Sequence, residues 1–188
     1  MHFRHWFESL NLPKVIQSHK FDCGAAALRA VCQYYGVGPD EEDDYIKLLG
    51  TTEDGTEPED IARVASQLGL KAAIKTGLTL DNLKYCLARK TPVICAIQAW
   101  GDEEEYDQLQ DGHYVVAIGF DDQYIFFEDP SMKSIERGRL LHDDFVKRWI
   151  DTRIGSQERL EHLGIIFWKA VHQPGAEKKK LHHAQKIQ

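Results

Sequence analysis

The sequence predicts an α+β fold in which a helical half packs on an antiparallel β-sheet. Helical segments dominate the chain up to about residue 89, and strand segments dominate from residue 92 onward. Two apolar segments separated by the tight turn 121–123 also predict a β-hairpin. The 188 residues suit one globular domain. We expect that domain over residues 1–172 and a polar, disordered tail over residues 173–188.

The first predicted helix runs from Cys23 to about Tyr35. Asp22 is of a residue type that caps helices, and Gly36 ends the segment. Apolar residues recur inside it at helical spacing. Before it, the first 20 residues are expected to be irregular, apart from a short strand over Lys14–Ile16 that begins after Pro13.

Two more helices and a strand are predicted next. Residues Tyr45–Leu49 form a short helix that ends at Gly50. The third helix begins at Pro58, has Glu59 and Asp60 in its first turn, and runs to about Leu68. A short strand over Lys71–Lys75 follows.

The middle of the chain predicts one helix and one buried strand. The helix covers Leu83–Arg89, with Thr79 or Asp81 as its cap. The strand Val93–Ile97 is apolar enough to be buried on both faces of a sheet.

The later part of the chain predicts strands with one helix between them. An acidic loop over residues 102–110 precedes the hairpin strands Tyr114–Phe120 and Tyr124–Glu128. A short helix over Asp143–Trp149 and a last strand over Gly164–Val171 follow.

Charge and hydropathy exclude several classes of protein. The net charge of −7 disfavours nucleic acid as the main partner, because binding phosphate needs clustered cations. The one basic cluster, Lys178–Lys180, lies in the polar tail and indicates a solvated end more than a docking site. No apolar run approaches the ~18 residues that cross a bilayer. Residues 1–7 lack the apolar core of a secretory signal, so we expect a cytoplasmic protein.

The four cysteines are not spaced as a metal site. No pair has the CxxC spacing of a thiolate zinc site, and no other metal or organic cofactor is indicated. Cys32, Cys86 and Cys95 lie in apolar contexts and are expected to be small buried hydrophobes without disulfides. The remaining cysteine, Cys23, lies at a predicted helix start.

Cys23 is the candidate nucleophile. A thiol reacts as the thiolate, and the free N–H groups and dipole of a helix N-terminus favour that negative charge. Gly24 beside it is expected to leave room for a substrate backbone. A lone cysteine in such a place is more often structural, so the hypothesis depends on the residues that accompany it.

His113 and Asp129 are the candidate base and its orienting acid. Gly112-His113 begins an apolar strand at its edge, where a histidine can face a cleft and accept a thiol proton. Asp129 ends the second hairpin strand, and the residue count places the two close to opposite each other. Taken singly, His113 is equally well a strand-end histidine and Asp129 before Pro130 is a plain turn signal.

Gln17 is the candidate oxyanion donor. A tetrahedral intermediate needs donors where its charge develops, and a side-chain amide together with the nucleophile's own N–H can supply them. Gln17 lies six residues before Cys23 and could fold over the helix start. As an isolated residue it would be assigned to the surface.

These motifs resemble one known family. The segment from Gln17 to Leu28, QSHKFDCGAAAL, is similar to the nucleophile motif of the bacteriocin-processing, double-glycine peptidases. Residues 112–116, GHYVV, resemble the family's histidine motif, and residues 127–131, FEDPS, its aspartate motif. The similarity covers roughly residues 12–150.

The resemblance implies a papain-like fold and a cysteine peptidase. It implies Cys23 as nucleophile, His113 as base and then acid, Asp129 as orienter and Gln17 as oxyanion donor. Family members commonly precede ABC exporters and cut leader peptides after two glycines, which implies a peptide or protein substrate and association with an exporter. This chain departs in its acidic loop over residues 102–110 and in an added strand and tail after Trp149.

Two other functions use the same features. The thioester could pass to an amine or thiol, which would make the protein an acyl or peptidyl transferase. The cleft could instead bind a leader peptide or a partner without catalysis, although a pure binding domain needs no nucleophile. The sequence leaves the natural substrate and the oligomeric state open.

Overall fold

The computed structural model describes residues 9–134 and 137–169. The predicted tail over residues 173–188 and the last two residues of the final predicted strand, Ala170 and Val171, lie outside the described residues.

The described residues form five α-helices and a short 3₁₀ helix. The α-helices are α1 (Cys23–Tyr35), α2 (Glu42–Leu49), α3 (Pro58–Gln67), α4 (Leu80–Ala88) and α5 (His142–Arg148). The 3₁₀ helix, Glu103–Gln108, lies inside the segment predicted as an acidic surface loop.

Six strands form one antiparallel sheet in the order β1-β6-β2-β3-β4-β5. The strands are β1 (Leu70–Lys75), β2 (Val93–Gln98), β3 (Gly112–Phe120), β4 (Tyr124–Glu128), β5 (Gly138–Leu141) and β6 (Gly164–Lys169). The predicted α+β architecture, with helices on an antiparallel sheet, is confirmed. The predicted hairpin is β3–β4, with a bulge between Ala117 and Gly119.

The centre of the sheet is covered on both sides. Every residue of β2 is buried, as its continuous apolar sequence predicts. Helix α1 packs on β3, and its alanines are fully buried. Their small side chains let the helix backbone approach the sheet closely, which places the start of α1 near the start of β3.

Two local predictions need correction, and one open alternative is decided. Helix α2 begins at Glu42, three residues before the predicted start, since its acidic first turn lies where the helix dipole favours negative charge. Strand β5 was not predicted; it is four residues long and, among the described strands, pairs only with β4. Of the two proposed caps of α4, Thr79 is the residue that serves, in a capping box with Asn82.

The predicted strand over Lys14–Ile16 is also wrong, because the entry segment makes single hydrogen bonds instead of a ladder. Leu10 N–H donates to Ile118 O at 2.6 Å, and Gln17 N–H donates to Pro130 O at 2.9 Å. Between them, Val15 N–H donates to a carboxylate oxygen of Glu128 at 2.9 Å. The segment is thereby attached to both ends of the β3–β4 hairpin.

Glu128 is a fully buried carboxylate with cationic partners from two distant segments. Lys14 Nζ lies 3.3 Å from Glu128 Oε1, and Arg137 forms a second ion pair with the same carboxylate. Since Glu128 directly precedes Asp129, this cluster joins the entry segment to the turn that carries the candidate acid.

We expect Glu128→Ala to lower the free energy of unfolding by about 3 kcal/mol, because it leaves two partly buried cations without their counter-ion. Urea unfolding measures this. Glu103→Ala is the matched control, since the Glu103–Lys147 pair is exposed on both sides and should contribute little to stability. Equal losses in the two variants would contradict the assigned role of the buried cluster.

Candidate active site

Cys23 is the first residue of α1, as predicted, and its side chain is partly exposed. Asp22 precedes it but does not cap the helix with its side chain. Instead the buried Asp22 carboxylate accepts hydrogen bonds from His19 N–H at 3.0 Å and lies 2.9 Å from His19 Nδ1. Asp22 therefore fixes the turn over residues 19–22 that leads into the helix, which corrects the prediction of a cap.

His113 lies on β3 opposite Ile97 of β2, and it is 2% exposed. Its Nε2 is 2.8 Å from Asp129 Oδ1, and the imidazole lines the same cleft as the Cys23 side chain, close enough for the two to interact electrostatically. Because Nε2 is taken by Asp129, Nδ1 is the nitrogen left for the sulfur. The ring of Trp100 covers the imidazole, with its centroid 5.2 Å away.

The surroundings of His113 stabilise its protonated form. Burial by itself lowers the pKa of the imidazolium, but the hydrogen bond with Asp129 and the electrostatic interaction with Cys23 outweigh burial and raise the pKa to about 9. The ring is therefore an imidazolium at neutral pH, ready to pair with a thiolate.

Asp129 lies one residue beyond the end of the β3–β4 ladder, whose last pair is Val116–Glu128. Ser131 donates two hydrogen bonds to Asp129 Oδ1, from its N–H at 2.8 Å and its Oγ at 2.7 Å. Burial raises the pKa of this carboxyl, yet the hydrogen bonds with His113 and Ser131 hold the pKa below its usual range. Asp129 is thus ionised and oriented towards the imidazole.

Gln17 is placed differently from the other three predicted residues. Its Nε2 donates to His19 O at 2.6 Å, while its Oε1 is buried and accepts no hydrogen bond from the described residues. It is not among the residues that line the cleft beside Cys23. The structure therefore brings Cys23, His113 and Asp129 together and leaves Gln17 beside the turn before α1.

A cleft extends from Cys23 and His113 between three segments of the chain. Residues 54–58 and 151–157 line it from two distant parts of the sequence, and residues 109–114 line it beside the imidazole. Arg153 joins the first two segments, with its guanidinium 3.2 Å from Glu57 and 2.8 Å from Glu59. Cys23 lines the cleft and is partly exposed, so a peptide bound there can reach the sulfur.

A glycine is needed at position 24 for a different reason from the one predicted. A Cβ there would lie 3.0 Å from Thr56 Cβ and 3.3 Å from the ring of Tyr114, so the position is packed against protein. The hydroxyl of that tyrosine donates to Thr56 O at 3.1 Å, which locks the same contact. Gly24 therefore allows α1 to approach β3 and the cleft wall; it leaves no free room for substrate.

Several residues of the cleft were missed by sequence reasoning. Trp100 contacts the His113 ring, and Gln98 and Asp151 contact each other beside it, all from segments with no motif of their own, whereas Ser131 lies in the aspartate motif but was assigned no role. Burial raises the pKa of the Asp151 carboxyl to about 6, although hydrogen bonds from Thr152 N–H and Gln98 oppose that rise. The only sequence signal was the glycine at 112, whose missing side chain makes space for the Asp151 carboxylate.

The other cysteines fit the expectation of buried hydrophobes. Cys32 and Cys95 are buried, Cys86 is partly buried, and all are free thiols. Burial raises the pKa of each, to about 11 for Cys32, which keeps these thiols protonated. Within residues 9–134 and 137–169, no group of three or more His, Cys, Asp or Glu side chains is arranged to hold a metal ion.

A thiol at a helix start, an imidazole beside it and a carboxylate on the far ring nitrogen form the kind of site that supports nucleophilic catalysis by cysteine. Comparison with known proteins identifies the family. The family model of the peptidase C39 family matches residues 11–158. The chain therefore belongs to the peptidase C39 family and is a cysteine-type peptidase. No curated protein sequence matches the chain.

Solved structures share the fold. A double-glycine-motif protease from an AMS/PCAT transporter, solved with its leader peptide, has a TM-score of 0.62 at 20% identity, covering 86% of this chain and 94% of that one. A C39-like peptidase from Bacillus anthracis has a TM-score of 0.68 at 18% identity, covering 87% and 98%. The peptidase domain of ComA, a bifunctional ABC transporter of Streptococcus involved in quorum sensing, has 0.59 at 21%, covering 83% and 97%. At these identities the similarity establishes the papain-like fold of C39 peptidases.

None of the helices in the described ranges combines the length and the apolar composition needed to cross a membrane.

Proposed function

We propose that this peptidase hydrolyses a peptide bond through Cys23, His113 and Asp129, and that its substrates are leader peptides cut after two glycines. The observation that carries the proposal is the position of the His113 ring, which lies in one cleft with the partly exposed Cys23 thiol and whose Nε2 is 2.8 Å from Asp129 Oδ1. The leader specificity is supported by membership of the family and by the similar fold of a double-glycine-motif protease that binds a leader peptide.

In the proposed reaction, the Cys23 thiolate attacks the carbonyl carbon and forms a tetrahedral oxyanion. The imidazolium of His113 then gives its proton to the leaving nitrogen, the C–N bond breaks, and an amine and a thioester result. Water attacks the thioester as His113 removes its proton, and the carboxylic acid and the thiol are released. Asp129 holds the ring in place and stabilises the imidazolium.

We assign the oxyanion to the backbone N–H of Cys23 and the amide of Gln17. The first N–H groups of a helix have no intrahelical acceptor, so the N–H of Cys23 is available. A primary amide has two N–H bonds, and His19 O accepts one of those of Gln17. The other is the proposed second donor.

We also propose that residues 1–172 act as one peptidase domain in the cytoplasm, together with an exporter. The cytoplasm keeps thiols reduced, which suits a cysteine nucleophile and the free thiols of this chain. Two of the similar structures come from ABC or AMS/PCAT transporters, which supports a transporter as the partner.

The test of the function is cleavage of a synthetic leader peptide that contains a single Gly-Gly pair. We expect one cut after the second glycine, located by mass spectrometry, and dependence of that cut on Cys23. A peptide in which alanines replace both glycines serves as the control. Cleavage elsewhere, or equal cleavage of the alanine peptide, would contradict the leader specificity while leaving the peptidase mechanism in place.

The pH profile tests the role of His113. Its pKa is raised to about 9, so the imidazolium is complete well below that pH and is lost as pH rises through it. We therefore expect kcat/KM to fall on the alkaline side with an apparent pKa near 9. The Asp129→Asn variant should move this limb to lower pH, because it removes the charge that supports the imidazolium. A wild-type limb at the ordinary histidine value of 6.5 would contradict the assignment.

A further inference from the structure

Asp151 is an acidic side chain of the cleft that the proposed reaction does not use. It follows α5 in the chain and lines the same cleft as Cys23 and His113. A Cβ built on Gly112 would lie 2.5 Å from Asp151 Oδ1 and 2.8 Å from Oδ2. The carboxylate therefore lies against the backbone of the residue directly before the imidazole.

The orientation of this carboxylate is fixed through one oxygen. Asp151 Oδ1 accepts hydrogen bonds from Thr152 N–H at 2.8 Å and from Gln98 Nε2 at 3.4 Å. Gln98 is itself buried and held, since its Nε2 also donates to Ile150 O at 3.1 Å and its Oε1 accepts from Asp111 N–H at 2.9 Å. The Oδ2 atom accepts no hydrogen bond from the described residues, which leaves it free for a ligand in the cleft.

Asp151 forms no ion pair with another residue of the ranges 9–134 and 137–169. The nearest arginine along the chain, Arg153, is already paired with Glu57, Glu59 and Glu158. Burial raises the pKa of the Asp151 carboxyl to about 6, and the charge of His113 only partly opposes that rise, so the carboxyl is ionised at neutral pH. A partly buried carboxylate without an ion-pair partner is unfavourable, and a cation bound beside it would remove that cost.

We propose that Asp151 is a specificity-determining residue that binds a cationic amino or guanidinium group of the peptide substrate close to the scissile bond. This proposal rests on the proposed function in one respect, that the peptide substrate binds in the cleft. An ammonium or guanidinium donates charge-assisted hydrogen bonds to a carboxylate. A substrate residue with such a group would therefore bind at Oδ2 more tightly than one with a neutral side chain. The cation can be a lysine or arginine side chain or a free N-terminal amine.

The experiment uses leader-type peptides with one Gly-Gly pair and a lysine, an arginine or a norleucine at each flanking position in turn. At one position we expect the cationic residue to raise kcat/KM over norleucine by about tenfold or more, the range of a hydrogen bond to a charged group. Peptides that begin close to the glycines, with free or acetylated N-termini, distinguish an α-amine from a side chain. The dissociation constants of the cationic and norleucine peptides are also compared with the Cys23→Ala variant, because binding to that variant does not depend on turnover.

Asp151→Asn should reduce the cation-to-norleucine ratio to near one. The asparagine Oδ1 can still accept from Thr152 and Gln98, so the fold is retained, whereas an N–H group replaces the free oxygen. A thermal melt checks folding. Asp54→Asn is the matched control: its carboxylate lines the same cleft but is exposed to solvent and screened, so the ratio should persist.

Each outcome has a separate meaning. Cys23-dependent cleavage with no preference for a cation at any position overturns the role of Asp151 and leaves the peptidase function intact. A preference that survives in Asp151→Asn, or that is lost equally in Asp54→Asn, also overturns it. Absence of any Cys23-dependent cleavage contradicts the proposed function, and the binding ratios of Cys23→Ala then decide the role of Asp151 alone.

Discussion

Replacing Cys23 with alanine should reduce peptide hydrolysis by at least about 10⁴-fold, since loss of a nucleophile removes the covalent route and leaves only binding and oxyanion effects. Cys23 lines the same cleft as His113. Its side chain is partly exposed at the start of α1, so the substitution leaves no large cavity. We expect kcat to fall, with the melting temperature nearly unchanged.

Cys86→Ala is the control for this prediction. Cys86 is also partly buried and free, but it lies on α4 and burial raises its pKa. Its replacement should leave kcat/KM close to that of the unaltered protein. A thiol-directed reagent at neutral pH should label Cys23 before the other three cysteines, because burial raises the pKa of those three thiols. Turnover that persists in Cys23→Ala would exclude the thioester mechanism.

Asp129→Asn should reduce kcat by about 10²- to 10⁴-fold through loss of the charge that stabilises the His113 imidazolium. The substitution is close to isosteric. Ser131 N–H and Oγ donate to Asp129 Oδ1, and an asparagine oxygen can accept the same hydrogen bonds. The orientation of the side chain is then retained, and the effect reports on charge more than on position.

Asp122→Asn is the matched control for Asp129→Asn, because Asp122 is an exposed aspartate in the turn of the same hairpin. Steady-state kinetics of both variants, with thermal melts, separate catalysis from folding. Activity of Asp129→Asn within a few-fold of the unaltered protein would show that His113 needs no carboxylate partner. The alkaline limb of the pH profile of kcat/KM, measured on Asp129→Asn, tests the same loss of charge independently.

The chemical groups of the site are recognisable in the amino-acid sequence because each stands at a local boundary. Asp22-Cys23 marks a helix start, Gly112-His113 begins a strand, and Asp129-Pro130 ends the next strand. Such boundaries follow from backbone preferences of neighbouring residues. The hairpin then makes the meeting of His113 with Asp129 a short-range consequence of the turn between them.

Local signals failed where a side chain had more than one available partner. Asp22 is a good capping residue, yet its carboxylate binds the backbone and ring of His19. Gly24 suggested space for a substrate, yet Thr56 and Tyr114 fill that space. The strand expected over Lys14–Ile16 is absent because buried Glu128 takes the hydrogen bond of Val15 N–H that a ladder would use.

The sequence by itself therefore determined the fold class, the helix that presents the thiol and the hairpin that presents imidazole and carboxylate. Only the tertiary structure decided that Asp151 lies against Gly112 and that Arg153 joins the two outer segments of the cleft. The physical reason is the distance along the chain between the residues that interact. Helix starts and hairpins depend on neighbouring residues, whereas the contacts of Asp151 and Arg153 join segments that meet only when the core packs.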